Sequence, residues 1–325
     1  MKRVIGSEMK SDLVGSLDKY VGCMLGLAAG DALGAPFEGG LLERGLWKLI
    51  GLAKGHGFRY TDDTQMAMDV VTSFLACKGI DQNHLANTFS QSYQWSRGYG
   101  PAAAKLLKKI KGGASWQTVN RLKYSDGSMG NGAAMRAPVV ALCFPKSCFS
   151  ETGTELSTEL KNHVQSVSEI THAHPLATEG ASLISTLTLL LLNDEDQGVV
   201  VSALVGQDEI FKKKLSTCLS FLKEDEVKST PVIRQQLGNG ITAPESVVTA
   251  IYYVLAFRHR DFDSMMSAII DLKGDVDTIG SMAGAMWGAA NGATALKKYS
   301  AQLEAGADMK SLANQLFNAT HSASA

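Results

Sequence analysis

The chain has 325 residues, 45% of them apolar, and its 31 Lys and Arg nearly balance 32 Asp and Glu, for a formal charge of −1. That much apolar mass builds a large core, or two small ones, without disulfides or a structural metal. The even charge excludes a basic stripe of the kind that grips nucleic acid, and it excludes a membrane-seeking face.

Five cysteines, Cys23, Cys77, Cys143, Cys148 and Cys218, are odd in number and irregular in spacing, with no CxxC pair. They read as reduced thiols of a cytoplasmic protein. Behind Lys2 and Arg3 come Glu8, Lys10 and Asp12, so no secretory apolar segment develops. The longest apolar stretches, Leu183 to Leu192 and Val247 to Phe257, fall short of a bilayer span.

In chain order, apolar residues at helical spacing predict helices over Tyr20 to Leu33, Thr64 to Ala76, His84 to Arg97, Ala102 to Ile110, Ala133 to Leu142, Ala177 to Leu192, Glu245 to Phe257, Asp263 to Leu272 and Ile279 to Ala290. No segment alternates strictly with β-branched enrichment, so the fold class is all-α. Residues 13–320 form one expected domain, with a loose N-terminus over 1–12 and a flexible Ser/Ala tail over 321–325. Asp194 to Gln236 is more polar, with mixed helical signals, and is expected at the surface. Lys108-Lys109 and Lys212-Lys213-Lys214 read as solvated helix faces.

Glycine recurs every four residues twice: Gly22, Gly26, Gly30 and Gly34, then Gly280, Gly284, Gly288 and Gly292. Each costs roughly 1 kcal/mol against Ala inside a helix. Such a ridge opens a groove for a second backbone. Either these two helices pack on each other, carrying Asp31 and Glu38 towards Asp275 and Asp277, or the glycines simply relieve a crowded core.

Two acidic clusters open helices at opposite ends of the chain, Thr61-Asp62-Asp63-Thr64 and Asp275-Val276-Asp277-Thr278. Acid in a first turn serves the helix dipole and need mean no more. Two clusters brought together would repel without cations. Carboxylates and hydroxyls with no Cys or His among them are hard ligands, suited to Mg²⁺, Mn²⁺ or Ca²⁺ rather than zinc. Gly127 to Gly132 precedes a predicted helix and offers bare N–H groups to an anion, or is a plain glycine turn. It is neither a Walker A loop nor a Rossmann turn. Arg136 pairs either with a core acid or with a phosphate. His172 and His174, two apart and without a thiol, do not make a zinc site. Tyr99 and Tyr124 are aromatic candidates for a base pocket or for ordinary packing.

Taken together, Gly26 to Glu38, Tyr60 to Gln65, Arg97 to Gly100, Gly130 to Arg136, Thr171-His172, Leu237 to Gly240 and Gly274 to Gly280 resemble the ADP-ribosylglycohydrolase family, in an order covering about Val21 to Gly292. The resemblance implies an all-α orthogonal bundle with two Mg²⁺, or Mn²⁺, in a cleft. It assigns Thr61, Asp62, Asp63, Asp275, Asp277 and Thr278 to the metals. It makes Glu38 an acid beside them, and it places Ser128, Met129, Gly130 and Asn131 under a diphosphate. His172 lines that pocket, and Arg97 to Gly100, with Tyr99 and Gly100 as substrate contacts, lies near the distal ribose. Lys273 stands where many members have Gly, and Val276 where many have a small or polar residue.

The implied reaction releases ADP-ribose from a modified protein side chain, arginine in preference to serine. Water attacks the anomeric carbon, with Glu38, Asp62 or Asp63 as the catalytic carboxylate. The implied partners are the ADP-ribosylated substrate protein, the ADP-ribose product and a cognate ADP-ribosyltransferase, with no nucleic acid and no membrane. Two other readings stand beside it. One is an immunity-type binder of ADP-ribose or of a transferase with little catalysis. The other is a hydrolase of a small conjugate such as O-acetyl-ADP-ribose.

Overall fold

The computed structural model describes residues 15–38, 58–145, 157–224 and 226–321, with positions 45, 47 and 49 between the first two spans. The expected loose N-terminus, the tail beyond His321 and Cys148 lie outside the described residues. Among those described, every regular element is helical, and β pairing is confined to the isolated bridges Phe58–Leu303 and Gly130–Thr242.

The helices are α1 (Leu17–Gly34), α2 (Asp62–Cys77), α3 (Gln82–Ser92), α4 (Pro101–Lys111), α5 (Trp116–Val119), α6 (Ala137–Cys143), α7 (Thr158–Glu169) and α8 (Pro175–Leu192). They continue with α9 (Gln197–Ala203), α10 (Glu209–Phe221), α11 (Thr230–Gln236), α12 (Ala243–Ala256), α13 (Phe262–Leu272), α14 (Val276–Asn291), α15 (Lys297–Ser300) and α16 (Gly306–His321). Their starts follow cap chemistry. Ser16, Thr61, Asp81, Ser157, Asp196, Asp208 and Asp261 each accept a first-turn N–H, and proline occupies the first turn of α4, α6, α8, α11 and α12.

Two predicted helices are shorter than expected. The one drawn over His84 to Arg97 stops at Ser92, because Trp95–Arg97 forms a 3₁₀ turn ending on Gly98 at φ +87°. The one drawn from Ala133 begins at Ala137, after a 3₁₀ turn over Asn131–Ala133. The polar stretch 194–236 holds α9, α10 and α11.

The two glycine ridges are the axis of the fold. Helices α1 and α14 run antiparallel in backbone contact. A Cβ added at Gly22, Gly26 or Gly30 would sit under 3.0 Å from the carbonyl of Gly288, Gly284 or Gly280, and the converse holds from α14. A Cβ at Gly34 would lie 2.5 Å from Asp277 Cα. Direct pairing, not general crowding, is therefore why alanine is absent.

Helices α1 and α8 have the length and apolarity of a membrane span, α8 being longer than the apolar stretch read from sequence. Here 83% and 72% of their respective windows are buried inside the protein. The described cysteines Cys23, Cys77, Cys143 and Cys218 are free thiols, and all but Cys77 are buried.

Candidate active site

Because α1 and α14 touch at Gly34 and Asp277, the chain leaving α1 reaches Glu38 beside the start of α14. Carboxylate oxygens of Glu38, Asp275 and Asp277 all lie within 4.8 Å of one another. The start of α2 completes the group. Glu38, Asp62, Asp63, Asp275, Asp277 and Thr278 line one end of a cavity of about 1230 Å³. Two clusters more than two hundred positions apart in sequence thus share one wall.

Asp31, fully buried in α1, holds the α2 cluster from beneath. Its carboxylate accepts from Thr61 N (2.9 Å), Thr64 N (3.2 Å) and Thr64 Oγ1 (2.5 Å). The Thr61 hydroxyl also bonds to Asp31, and its Oγ1 caps the helix by accepting from Asp63 N at 3.2 Å. Thr61 itself is not among the residues that line the cavity. The α14 cluster is held by amides. Asn131 Nδ2 donates to Asp275 Oδ2 (2.5 Å) and Ser246 Oγ (3.0 Å), and Asp275 N donates to Asn239 O (3.0 Å).

Burial and mutual repulsion push every acid of the wall upward. Burial raises Glu38 to about 7, against a hydrogen bond with Asp277, and Asp275, Asp62 and Asp31 add to the rise. Burial, then the Asp31 charge, raises Asp62 to about 8. Asp63, Asp275 and Asp277 are held well above the carboxylate range, by burial first and neighbouring acids second. Asp63 Oδ2 and Asp277 Oδ1 are buried with no hydrogen-bond donor among the described residues. An unpartnered buried carboxylate oxygen is costly, and oxygen-only donors of this density fit hard divalent cations. The residues present fit such a metal centre.

The glycine loop forms the next part of the cavity. Gly127, Ser128, Met129, Gly130, Asn131 and Gly132 all line it. It is less open than its sequence suggests. Gly130 N donates to Ser128 Oγ (3.3 Å) and Asn131 N to Ile241 O (3.0 Å), because the bridge to Thr242 ties the loop to the start of α12. The helix behind it starts four residues later than expected, so its N-terminus does not abut the loop. His172 lies flat against it. A Cβ at Gly132 would lie 2.8 Å from His172 Nε2, and one at Gly130 would lie 3.1 Å from it. His174 instead caps α8, accepting from Leu176 N at 3.1 Å.

Arg136 meets neither an acid nor the cavity. Fully buried, it donates to Gly132 O, Val167 O (2.9 Å), Ser168 O (3.4 Å) and Thr171 Oγ1 (2.8 Å). Arg97 is also turned inward, on Glu304 (2.7 and 2.9 Å) and over the Tyr60 ring. Tyr99 does not line the cavity. Its ring packs edge-on against Tyr93 and its hydroxyl donates to Gln65 at 3.0 Å, leaving the flanking Gly98 and Gly100 to face the space. Tyr124 does line it and is exposed.

Three supports escaped the sequence reading as site residues: Asp31, Asn239 and the inward-facing Arg136. All three lie in the motifs quoted above, and Asp31 carried a further signal, an acid on a glycine ridge one turn before Gly34. Asn239 also explains the turn into α14. Its Nδ2 donates to Leu272 O and Lys273 O, and Lys273 there takes φ +59°, ψ −179°. That region belongs almost wholly to glycine.

A family model described as ADP-ribosylglycohydrolase matches residues 13–325. The chain is 30% identical over 321 residues to ADP-ribosylhydrolase ARH3 of Gallus gallus, covering 83% of this chain and 84% of that protein. It is 30% identical to ADP-ribosylhydrolase ARH3 of Homo sapiens, covering 84% and 85%. It is 23% identical to ADP-ribosylarginine hydrolase Tri1 of Pseudomonas putida, covering 86% and 72%. Among solved structures, an ADP-ribosylglycohydrolase-related protein complex superposes with a TM-score of 0.67 at 22% identity, over 94% of this chain and 98% of that one, a likeness of fold.

Proposed function

Since this chain belongs to the ADP-ribosylglycohydrolase family, we propose that its cavity hydrolyses the bond between ADP-ribose and a modified protein side chain, releasing ADP-ribose, and depends on divalent cations. One observation carries the reading. Two remote acidic clusters converge on one wall of a cavity whose neighbouring wall is a glycine loop, and two of their buried oxygens lack donors.

Thr61, Asp62, Asp63, Asp275, Asp277 and Thr278 would hold two Mg²⁺ or Mn²⁺, the Thr61 oxygen keeping a lone pair for a cation while its proton goes to Asp31. When bound, such ions supply Lewis acidity and lower the pKa of a water. Glu38, at the open edge of the cluster, is placed to accept a proton from the attacking water as the anomeric carbon gains oxocarbenium character. Asp62 is the alternative acceptor. Ser128 to Asn131 and His172 orient the diphosphate end, which turns attack into an intramolecular problem of geometry. Asn131 serves both ends, since the same amide that lies in the loop holds Asp275.

The linked side chain is decided by assay. Arginine is favoured in the sequence reading and is the linkage for which the more distant relative Tri1 is named, whereas the relatives at 30% are named without a linkage. Incubation with arginine- and serine-ADP-ribosylated proteins, with and without EDTA, decides both linkage and metal dependence. Release from at least one substrate, lost in EDTA and lost in Asp62→Ala with Asp277→Ala, is expected. Release that survives the double substitution overturns the site. No release from either substrate favours the binder or the small-conjugate hydrolase.

A further inference from the structure

We infer that Arg136 and Thr171 are positioning residues that lock His172 in one tautomer, with Nδ1 bare and the Nε2 proton turned to the glycine loop as a fixed donor for substrate. The inference rests on the reading above for the identity of the substrate, but the lock itself does not.

The tautomer follows from where the Thr171 hydroxyl proton can go. Arg136 has no acceptor capacity, so its bond to Thr171 Oγ1 at 2.8 Å makes that oxygen an acceptor. Thr171 is 4% exposed, and its hydroxyl proton needs an acceptor of its own. Among the described residues, the acceptor bonded to that oxygen is His172 Nδ1, at 2.7 Å. If Nδ1 carried the ring proton instead, Thr171 Oγ1 would face two donors and its own proton would be stranded in the interior. The network therefore assigns the proton to Nε2.

The geometry sets that nitrogen against the glycine loop, on a ring that lines the cavity. Nε2 lies where a Cβ at Gly132 or Gly130 would collide with it. Ser128 Oγ would lie 3.4 Å from that same Gly130 Cβ. His172 and Ser128 thus flank one small space in the cavity wall. The first offers a neutral N–H and the second a hydroxyl, a pair suited to a phosphate or ribose oxygen. Burial, and then the Arg136 charge, press His172 down to about 3, so the ring stays neutral across physiological pH. Arg136 itself is held by backbone carbonyls at the end of α7 and by Gly132 O, so it ties the loop, the α7 terminus and the histidine into one rigid piece.

The test uses the uniformly ¹⁵N-labelled full chain and two-bond ¹H–¹⁵N correlations of the imidazoles, with His172 assigned by the peaks lost in His172→Gln. The wild type is expected to show a protonated Nε2 and a bare Nδ1 at neutral pH. Thr171→Ser keeps that pattern, and Thr171→Val yields a tautomer mixture. ADP-ribose titration should weaken roughly tenfold in Thr171→Val, the loss of one aligned hydrogen bond at a desolvated site, and recover in Thr171→Ser. With a hydrolysed substrate the loss should fall on KM rather than kcat. A wild-type ring protonated on Nδ1 overturns the lock, even if the Val variant fails to fold. A Val variant with unchanged spectrum and affinity overturns it too. An inactive protein with the expected spectra would count against the substrate reading and leave the lock standing.

Discussion

The acidic wall of the cavity and the core behind its glycine loop bury charge in opposite ways. At one end Glu38, Asp62, Asp63, Asp275 and Asp277 face one another with no cationic side chain among the residues that line that wall, and two of their oxygens have no donor at all among the described residues. Behind the glycine loop the Arg136 guanidinium is wholly buried with no carboxylate bonded to it, yet it donates to three carbonyls and a hydroxyl. Burial, partly countered by Tyr99 and Asp62, moves Arg136 down to about 9, still charged at neutral pH. The contrast separates a nearly satisfied cation from an open cluster of acids. Arg136 is solvated by protein dipoles at both terminal nitrogens, and its Nε–H alone lacks an acceptor among the described residues. The acids are left with unmet charge, which is the condition for binding a cation from solution.

The largest effect that would break this contrast is at Arg136. Arg136→Met keeps much of the volume but strands the Gly132 and Val167 carbonyls, whereas Ser168 O keeps the Thr171 and His172 amides and the Thr171 hydroxyl keeps His172 Nδ1. At about 1–3 kcal/mol for each group left without a partner, the loss is expected to reach about 3 kcal/mol or more in denaturant melts. A loss below about 1 kcal/mol would mean that the carbonyls around Arg136 do not depend on it for a donor. The reverse sign is expected at the acids. Asp277→Asn removes a carboxyl that must either repel its neighbours or hold a proton against the solvent, so the metal-free protein should melt about 2 °C higher at pH 8, the order of 1 kcal/mol in a large domain. Its response to Mg²⁺ should shrink and its hydrolysis should fall by at least about 10²-fold. If the metal-free protein is destabilised instead, repulsion does not dominate that wall.

Much of this contrast can be read from sequence, though unevenly. The acidic clusters are visible because capping and ligation both demand oxygen-bearing residues at a helix start, and the glycine ridges are visible because a four-residue period has no cheaper explanation than close helix packing. Nothing local reveals the registry that sets Gly34 against Asp277, the contact that brings Glu38 to the cluster. Side-chain direction is also hidden. Tyr99 sits between two cavity-lining glycines yet turns to Gln65, and the Thr61 hydroxyl turns to Asp31, because each finds a buried polar partner on its far side. Arg136 can be placed on a motif, but its partners are backbone atoms of α7, a helix whose apolar spacing is too sparse to predict.

A smaller effect, spread over pH, sharpens the acidic half. Glu38 and Asp62 hold their protons to about 7 and about 8 in the folded chain, whereas an unfolded carboxylate releases its proton near ~4. Between those limits the folded state binds more protons than the unfolded one, so this contribution to stability is fully present below about pH 4 and is lost as pH rises towards 8. Metal-free melting temperatures should therefore decline across pH 6 to 8. Added Mg²⁺ should raise them more at pH 8 than at pH 6, because it competes with fewer protons. A magnesium shift that is flat with pH would sink the assignment of these acids to the cation.

The smallest effect concerns how the open end is held open. Lys273 adopts φ +59° and ψ −179° in the turn that delivers Asp275, a conformation costing of order 1–3 kcal/mol for a residue with a Cβ. Lys273→Gly relieves that strain but adds about 0.5–1 kcal/mol of chain entropy to the unfolded state. The net gain is expected near ~1 kcal/mol, read as a higher denaturant midpoint at unchanged slope. Asn239 fixes this turn through Leu272 O, Lys273 O and the Asp275 N–H, so relief of strain should leave Asp275 in place and hydrolysis intact. If Lys273→Gly instead gains stability but loses magnesium affinity, the strain itself is part of what holds the carboxylates in their repulsive arrangement. The acidic end would then be maintained by backbone conformation as well as by the Asn131 and Asn239 amides.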